Sequence, residues 1–581
     1  MIGASISSDG VDESPLLYAG DIPATGADPG DAALCFPDSI DPAAADGNIV
    51  ICDRGVNARV EKGDVVSDAG GVGMVLVNVT PAGVVSDIQA VPTVHLEANY
   101  RDALLAYAGT TDPTAAILAG DNEGSTTPEP PAIAGFSSRG PSLAASGDLL
   151  KPDIAAPGVD INAATSPEGG IGNGNDFGII SGTSMSSPHI AGLAALIIQK
   201  HPDWSPMEVK SAMMTTAKNL TDTRNPFDQG AGFVVPKEFL DPGLAYDSDF
   251  DDWADYLSGQ GVTVGGEPFT NTPIKASNLN VPSIAVNNMA GREHVVRSVT
   301  NVDDKTATYT AAVTGLKRVQ ATVTPSTLTL APGQTKSFKV TFSRTTAPFG
   351  DYVHGNLTWT DKRHLVRSPI VVAPVGVDAP PEVPLQGSTT ISTKSGFTGT
   401  MRQRVSGLVA GVDTPAEANA SGGAGDPLDD SNYSQDINVA GAKSVLRVQT
   451  RPDDVNEDLD LFLLDADDNL VGAAATGASA EEFTVTGLPR GTYTIAVEAF
   501  SVADHGPSTT FTVRSFNVKN ADAGNLTVTP ATQQVKVGKT YTWQAKPSGL
   551  TPGTPYLGVV RWYEMKSGAD PLLGTTLVSR D

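Results

Sequence analysis

Short runs in which every second residue is apolar recur through the second half of this 581-residue chain, and they restrict its fold more than any other feature. Asp458-Leu459-Asp460-Leu461-Phe462-Leu463-Leu464 and Gly491-Thr492-Tyr493-Thr494-Ile495-Ala496-Val497 alternate with period two. His294-Val295-Val296-Arg297-Ser298-Val299-Thr300 and Gln334-Thr335-Lys336-Ser337-Phe338-Lys339-Val340-Thr341-Phe342 are strand runs of the same kind. A period of two puts one set of side chains on one face of a sheet, and that face needs a second sheet to cover it. The runs therefore predict β-sandwiches joined by turns. The chain is also too long for one core, and about 100–200 residues per domain implies several units.

The first part reads differently. From about residue 15 to 125, apolar runs such as Gly47-Asn48-Ile49-Val50-Ile51-Cys52 and Gly73-Met74-Val75-Leu76-Val77-Asn78 alternate with short helical stretches, as in α/β or α+β packing. Gly124-Ser125-Thr126-Thr127-Pro128-Glu129-Pro130-Pro131 is a turn-rich linker that closes this module. Beyond it Ile190, Leu193, Ala194, Ile197 and Ile198 recur at helical spacing, which predicts a core-packed helix from about Ser184 to Lys200 with Pro188 in its first turn. Ser205-Pro206-Met207-Glu208 combines an N-cap serine, a proline at the first helical position and a glutamate at the third, so a second helix runs to about Ala217.

Composition excludes several functions. A formal net charge of −28 repels nucleic acid and anionic lipid. No apolar run reaches the length of a membrane helix, and the N-terminus has no signal-peptide pattern. The two cysteines, Cys35 and Cys52, fit either one local disulfide or two buried thiols. Asp453-Asp454-Val455-Asn456-Glu457-Asp458-Leu459-Asp460, followed by Asp465, Asp467 and Asp468, offers oxygen ligands suited to Ca²⁺. The cluster lacks the glycine and terminal glutamate of an EF-hand loop, so it reads first as a solvated acidic strand and turn, and no cofactor is required.

A serine at a turn entering a helix is placed for nucleophilic chemistry, because free N–H groups and the positive end of the helix dipole can hold an oxyanion. Ser184 has that setting, with Gly182 expected to permit a close turn before it. Serine also caps helices for purely structural reasons. Gly182-Thr183-Ser184-Met185-Ser186-Ser187-Pro188-His189-Ile190-Ala191-Gly192 closely resembles the nucleophile signature of the subtilisin-like serine proteases (peptidase family S8). Phe136-Ser137-Ser138-Arg139-Gly140-Pro141 and Lys151-Pro152-Asp153-Ile154-Ala155-Ala156-Pro157-Gly158-Val159 resemble that family's preceding segments, and Trp204-Ser205-Pro206 and Asp228-Gln229-Gly230-Ala231-Gly232 its following ones. An α/β-hydrolase elbow would need glycine where Ser186 stands.

Through Asn48-Ile49-Val50-Ile51-Cys52-Asp53-Arg54-Gly55 and Ala69-Gly70-Gly71-Val72-Gly73-Met74 the first module resembles the protease-associated domain that some subtilases carry between catalytic histidine and serine. Val299-Thr300-Asn301-Val302 and Leu357-Thr358-Trp359-Thr360-Asp361 resemble the fibronectin-III-like domain of plant-type subtilases and their bacterial relatives. The later strands more loosely resemble jelly-roll modules of bacterial secreted peptidases. The implied fold class is multidomain: an α/β subtilisin-like catalytic part, incomplete, with an inserted protease-associated domain, followed by all-β sandwich domains. The expected segments are 1–14, a return segment of the catalytic domain; 15–127, the protease-associated domain; 128–245, the C-terminal part of the catalytic domain; 275–376, a fibronectin-III-like sandwich; 385–517, a jelly-roll-like sandwich; and 520–581, a further β module.

The resemblance implies a secreted serine endopeptidase acting on protein or peptide substrates through an acyl-enzyme on Ser184. The family's Asp-Ser/Thr-Gly and His-Gly-Thr motifs do not occur in the sequence. His189 belongs to the serine motif, His95 to the first module, His201 to a helix end, and His294, His354, His364 and His505 to β modules. None has a setting that suggests delivery to Ser184. The expectation is a chain inactive by itself, with Met1 an internal start within a longer secreted precursor. The competing expectation is a secreted pseudoprotease that binds partners through its protease-associated and sandwich domains.

Overall fold

The computed structural model describes the chain apart from Ile2, Ser8, 119–130, Leu143, 167–175, 421–432, Val455, 503–506 and Asp581. The expected linker, except for Pro131, and His505 therefore lie outside the described residues. Two compact units are present: Met1–Asn287 with His294–Phe342 and Val353–Val372, and Asn288–Glu293 with Ser343–Tyr352 and Ala373–Asp581.

The first unit opens with a five-stranded sheet. Its strands β1 (Val11–Tyr18), β2 (Ile49–Arg54), β3 (Gly73–Asn78), β4 (Thr93–Leu96) and β5 (Thr114–Ile117) are ordered β4-β3-β2-β1-β5. Neighbours from β1 to β4 are parallel, and β5 is antiparallel to β1. The continuous apolar runs of β2 and β3 mark central parallel strands covered on both faces. Ile49 and Ile51 accordingly enter one core with Leu16, Val77 and Leu104, while Val50 and Cys52 enter the other with Val66 and Leu76. Cys35 and Cys52 form a disulfide, Cα–Cα 5.7 Å.

The expected segment 1–14 needs correction. Ala4 bridges to His95 beside β4, and β1 already starts at Val11, so this segment pairs with the first module's own sheet. Its partners are distant in sequence, Ala4 with His95 and Val11 with Ile117, and a polar stretch such as Asp12-Glu13-Ser14 carries no strand periodicity.

Next in the same unit come a hairpin of Ile161–Ala164 with Phe177–Ile180, and the helices α1 (Thr183–Lys200) and α2 (Pro206–Thr215). The capping box forms: Ser205 Oγ accepts from Glu208 N–H at 3.0 Å, and Glu208 Oε2 accepts from Ser205 N–H at 2.9 Å. A sandwich follows. One sheet is ordered Ile284–Met289, Leu365–Pro374, Val353–Thr360, Ala307–Thr314 and Thr327–Leu330; the other Val319–Thr324, Thr335–Arg344, Arg292–Asn301 and Leu244–Ala245. Leu244 and Ala245, expected to end the preceding domain, thus extend the sandwich. Arg367 ties it back, donating to Ala217 O at 2.7 Å, Asn219 Oδ1 at 2.9 Å and Ala231 O.

In the second unit the expected division into 385–517 and 520–581 is overturned. Strands Val377–Asp378, Thr389–Ser395, Thr540–Pro547 and Leu526–Thr529 make one sheet, and Glu382–Pro384, Leu572–Arg580, Tyr556–Glu564, Gly399–Ala410 and Thr532–Val535 the other. The last module is therefore one sandwich assembled from both ends of the segment, around Ile391, Met401, Trp543, Trp562 and Val560. Residues 412–518 are a second sandwich inserted between those halves, with Leu459, Leu461, Leu463, Ile495, Val497 and Phe511 inside. Period-two alternation shows which residues face inward but not which strand is the neighbour. The two sandwiches share a small cluster of Val445, Phe516, Val518, Leu557 and Val559, and Arg447 holds Glu382 bidentately at 2.6 and 3.0 Å.

Candidate functional site

The approach to Ser184 is built from backbone contacts. Ala155 lies beside Gly232–Val234, donating to Gly232 O at 2.9 Å and accepting from Val234 N–H at 3.0 Å. Asp153 is held by Lys151 and Lys210 at 2.5 and 3.0 Å. The chain then runs against the start of α1, where Ser186 Oγ donates to Ala156 O at 3.0 Å and Gly182 N–H donates to Gly158 O at 2.8 Å. A Cβ on Gly158 would come within 2.9 Å of Gly182 O as well as 2.2 Å of Ser186 Oγ, so the close backbone approach favours glycine here. Gly182 has no such need: its φ of 168° is extended, and a Cβ there would meet nothing nearer than 3.5 Å.

Ser184 is the second residue of α1 and is exposed. Among the described residues its hydroxyl has no hydrogen-bond partner, and no side chain caps the helix start, where Met185 N–H donates to Gly182 O at 3.0 Å. Pro188 lies in the second turn rather than the first, which deprives the Ser184 carbonyl of its intrahelical donor. Of the expected core face, Ile197 is buried and Ile190, Leu193 and Ala194 pack with Val209, Ala212 and Met213. Ile198 is instead 50% exposed, and Leu196 beside it 53%. The helix is apolar on two sides, and the described residues cover one.

A cleft of about 660 Å³ lies along the hairpin strand Ile161–Ala164, walled by Ile180, Met185, Pro188 and His189. Ser184 is not part of its wall. His189 turns back on its own helix, with Nδ1 2.8 Å from Met185 O. His95 is buried in the first module between Val85 and Asn78, and burial lowers its pKa to about 4. His201 stacks on Trp204 at 3.9 Å, while His364 contacts Asp361, Asp241 and Tyr309. No described histidine is hydrogen-bonded to Ser184.

One residue that sequence reasoning missed lies two positions after Gly158. Asp160 has a left-handed backbone, φ 52°. Its N–H donates to Ser181 Oγ at 2.8 Å, and its Oδ1 accepts from Ser181 Oγ and from Ser86 N–H, both at 3.2 Å. The only local hint is an Asp close after Gly158, a residue type that tolerates turn conformations.

The acidic cluster of residues 453–468 is only partly satisfied, since Glu457 Oε2 and Asp458 Oδ1 are buried with no hydrogen-bond partner among the described residues. Asp453 accepts from Thr510 Oγ1 at 2.6 Å, Asp454 from Asn456, and Asp465 from the N–H groups of Asp467 and Asn469. The Asn469 and Asp467 amides hold the Asp465 carboxyl below its usual range. Among the described residues, no group of three metal-ligating side chains converges.

Comparison with known proteins places these elements. Residues 45–232 match the Subtilase family and residues 278–372 a Fibronectin type-III domain. "Subtilisin-like protease SBT1.7" of Arabidopsis thaliana is 40% identical over 394 residues, covering 62% of this chain and 51% of that protein. "Subtilisin-like protease SBT5.4" of the same plant is 39% identical over 386 residues, covering 61% and 49%. "Subtilisin-like protease SBT5.3" is 37% identical over 405 residues, covering 64% and 52%. The chain spans about half the length of the curated relatives it matches.

Proposed function

We propose, from the match of residues 45–232 to the Subtilase family, that Ser184 is the nucleophile of a secreted endopeptidase acting on protein or peptide substrates. The observation that carries this reading is the exposed Ser184 on the first turn of an uncapped helix, inside the matched region. Ser184 Oγ would attack the peptide carbonyl as a histidine takes its proton. The oxyanion would meet the Ser184 N–H, the peptide C–N bond would break as the amine leaves with the proton the histidine took, and water would then hydrolyse the acyl-enzyme.

We place the histidine, its aspartate and the oxyanion asparagine in the half of the relatives' length that this chain does not span. The uncovered apolar side of α1, with Leu196 and Ile198, supports a further packed layer there. The five-stranded module would be the protease-associated domain of such an enzyme. Without a base, the residual rate from binding and oxyanion stabilisation lies orders of magnitude below the intact triad, so this chain alone would show negligible proteolysis.

The test is fluorophosphonate labelling of this chain and of a version extended to the relatives' full length, each beside Ser184→Ala. Ser184-dependent labelling of the extended protein only is the expected result. Labelling of the short chain would place a base within it and overturn the division. A second reading, a non-catalytic binding protein, draws on the absence of a hydrogen-bond partner for the Ser184 hydroxyl among the described residues; it predicts no labelling of either form.

A further inference from the structure

Ser86 belongs to the first module and Ser181 to the turn that delivers Ser184, yet both bond to Asp160 Oδ1. The Ser86 side is firmly anchored. Val85 N–H donates to His95 Nδ1 at 3.1 Å, which leaves the ring proton on Nε2 to donate to Asn78 Oδ1 at 2.8 Å. Asn78 in turn donates to Gly83 O and Glu97, and Glu97 accepts from the N–H groups of Ala82 and Gly83. Asn78 and His95 are almost fully buried, so this net cannot exchange its bonds for water without cost. On the other side, Ser181 is bonded to Asp160 in both directions, and Gly182 N–H reaches Gly158 O.

We propose that Asp160 is a positioning residue that fixes the turn presenting Ser184 and ties it to the 82–86 loop of the inserted module. The proposal rests on the reading of Ser184 as nucleophile. Its left-handed φ fits the same role: aspartate tolerates that conformation at modest cost, and such outliers persist where surrounding bonds over-determine them. A purely local turn would need no acceptor shared with a residue 74 positions earlier. The inserted module would thus set the geometry of the nucleophile turn through one carboxylate, so that displacement of the 82–86 loop would move the turn at Ser181–Ser184.

Two substitutions separate backbone from acceptor. Asp160→Gly keeps the left-handed conformation and removes the acceptor, whereas Asp160→Asn keeps one carbonyl oxygen and still tolerates the conformation. The readout is amide hydrogen exchange of the full chain in peptides covering residues 84–88 and 181–186. Asp160→Gly is expected to speed exchange about tenfold in both peptides, the loss of bonds to a charged acceptor, and Asp160→Asn to stay within about twofold of the parent. Wild-type exchange in Asp160→Gly, or acceleration confined to residues 158–161, would overturn the proposal. So would failure of Asp160→Asn to restore protection. Exchange does not depend on Ser184 reactivity, so a negative labelling result would remove the proposed activity and leave this coupling standing.

Discussion

Removing the Cys35–Cys52 bond, by Cys35→Ala with Cys52→Ala, should destabilise the first module and leave the others untouched. The bridge closes a segment with sequence separation 17. Loop-closure entropy for that length is about 3 kcal/mol at 25 °C. Both cysteines are fully buried, in a core with Ala19, Val50, Val66 and Leu76, so loss of the sulfur atoms adds a packing cost to the entropic one. Cys35 has φ 52°, and alanine there inherits the same left-handed backbone, which keeps backbone strain out of the comparison. For a module of about 100 residues, about 3 kcal/mol corresponds to a fall in melting temperature of roughly 12–24 °C. The assay is thermal proteolysis read by mass spectrometry. Peptides from 49–78 should become cleavable at the lower temperature, while those from 389–410 and 540–580 keep their own midpoint. A shift below about 3 °C in the first module, or an equal shift throughout the chain, would refute the reasoning.

Truncation after residue 519 should leave the strands at 389–395 and 399–410 protease-sensitive, because their partners Thr540–Pro547, Tyr556–Glu564 and Thr532–Val535 are gone, while 412–518 stays protected. Persistent protection of 389–410 would refute the discontinuous sandwich. Asp460 faces Glu498 across the sheet, and burial first, then Asp458, Glu498 and Glu481, raises its pKa to about 6. A carboxyl raised in the folded state contributes stability at acid pH that is lost as pH rises from about 4 through 6. Asp460→Asn should therefore raise the melting temperature of the 412–518 sandwich at pH 8 and change it little at pH 4, checked by calorimetry at the two pH values; an equal effect at both would sink the idea.

Much of the candidate site was legible because its signals are local. The capping box at Ser205–Glu208 needs four consecutive residues, and it forms as read. The placement of Ser184 at a helix start follows from the apolar spacing beyond it, though the same spacing wrongly put Ile198 in the core. A 3.6-residue period shows that a helix has an apolar face, but the width of that face depends on what packs against it. Gly158 shows no local reason to be glycine, because the atoms that crowd it, Gly182 O and Ser186 Oγ, are brought near only by the fold.

By itself, the amino-acid order determined many of the strand and helix segments and put Ser184 at a helix terminus. These depend on side-chain period, caps and turn residues within a few positions of one another. The tertiary structure alone decided which strands are neighbours, and so that residues 377–410 share a sandwich with 526–580 around an inserted one. It alone brought Ser86 and Ser181 to one carboxylate. The physical reason is that strand pairing is made by backbone N–H and C=O groups common to nearly every residue. Alternation selects the buried face, but the partner across the ladder is chosen by packing of the whole core.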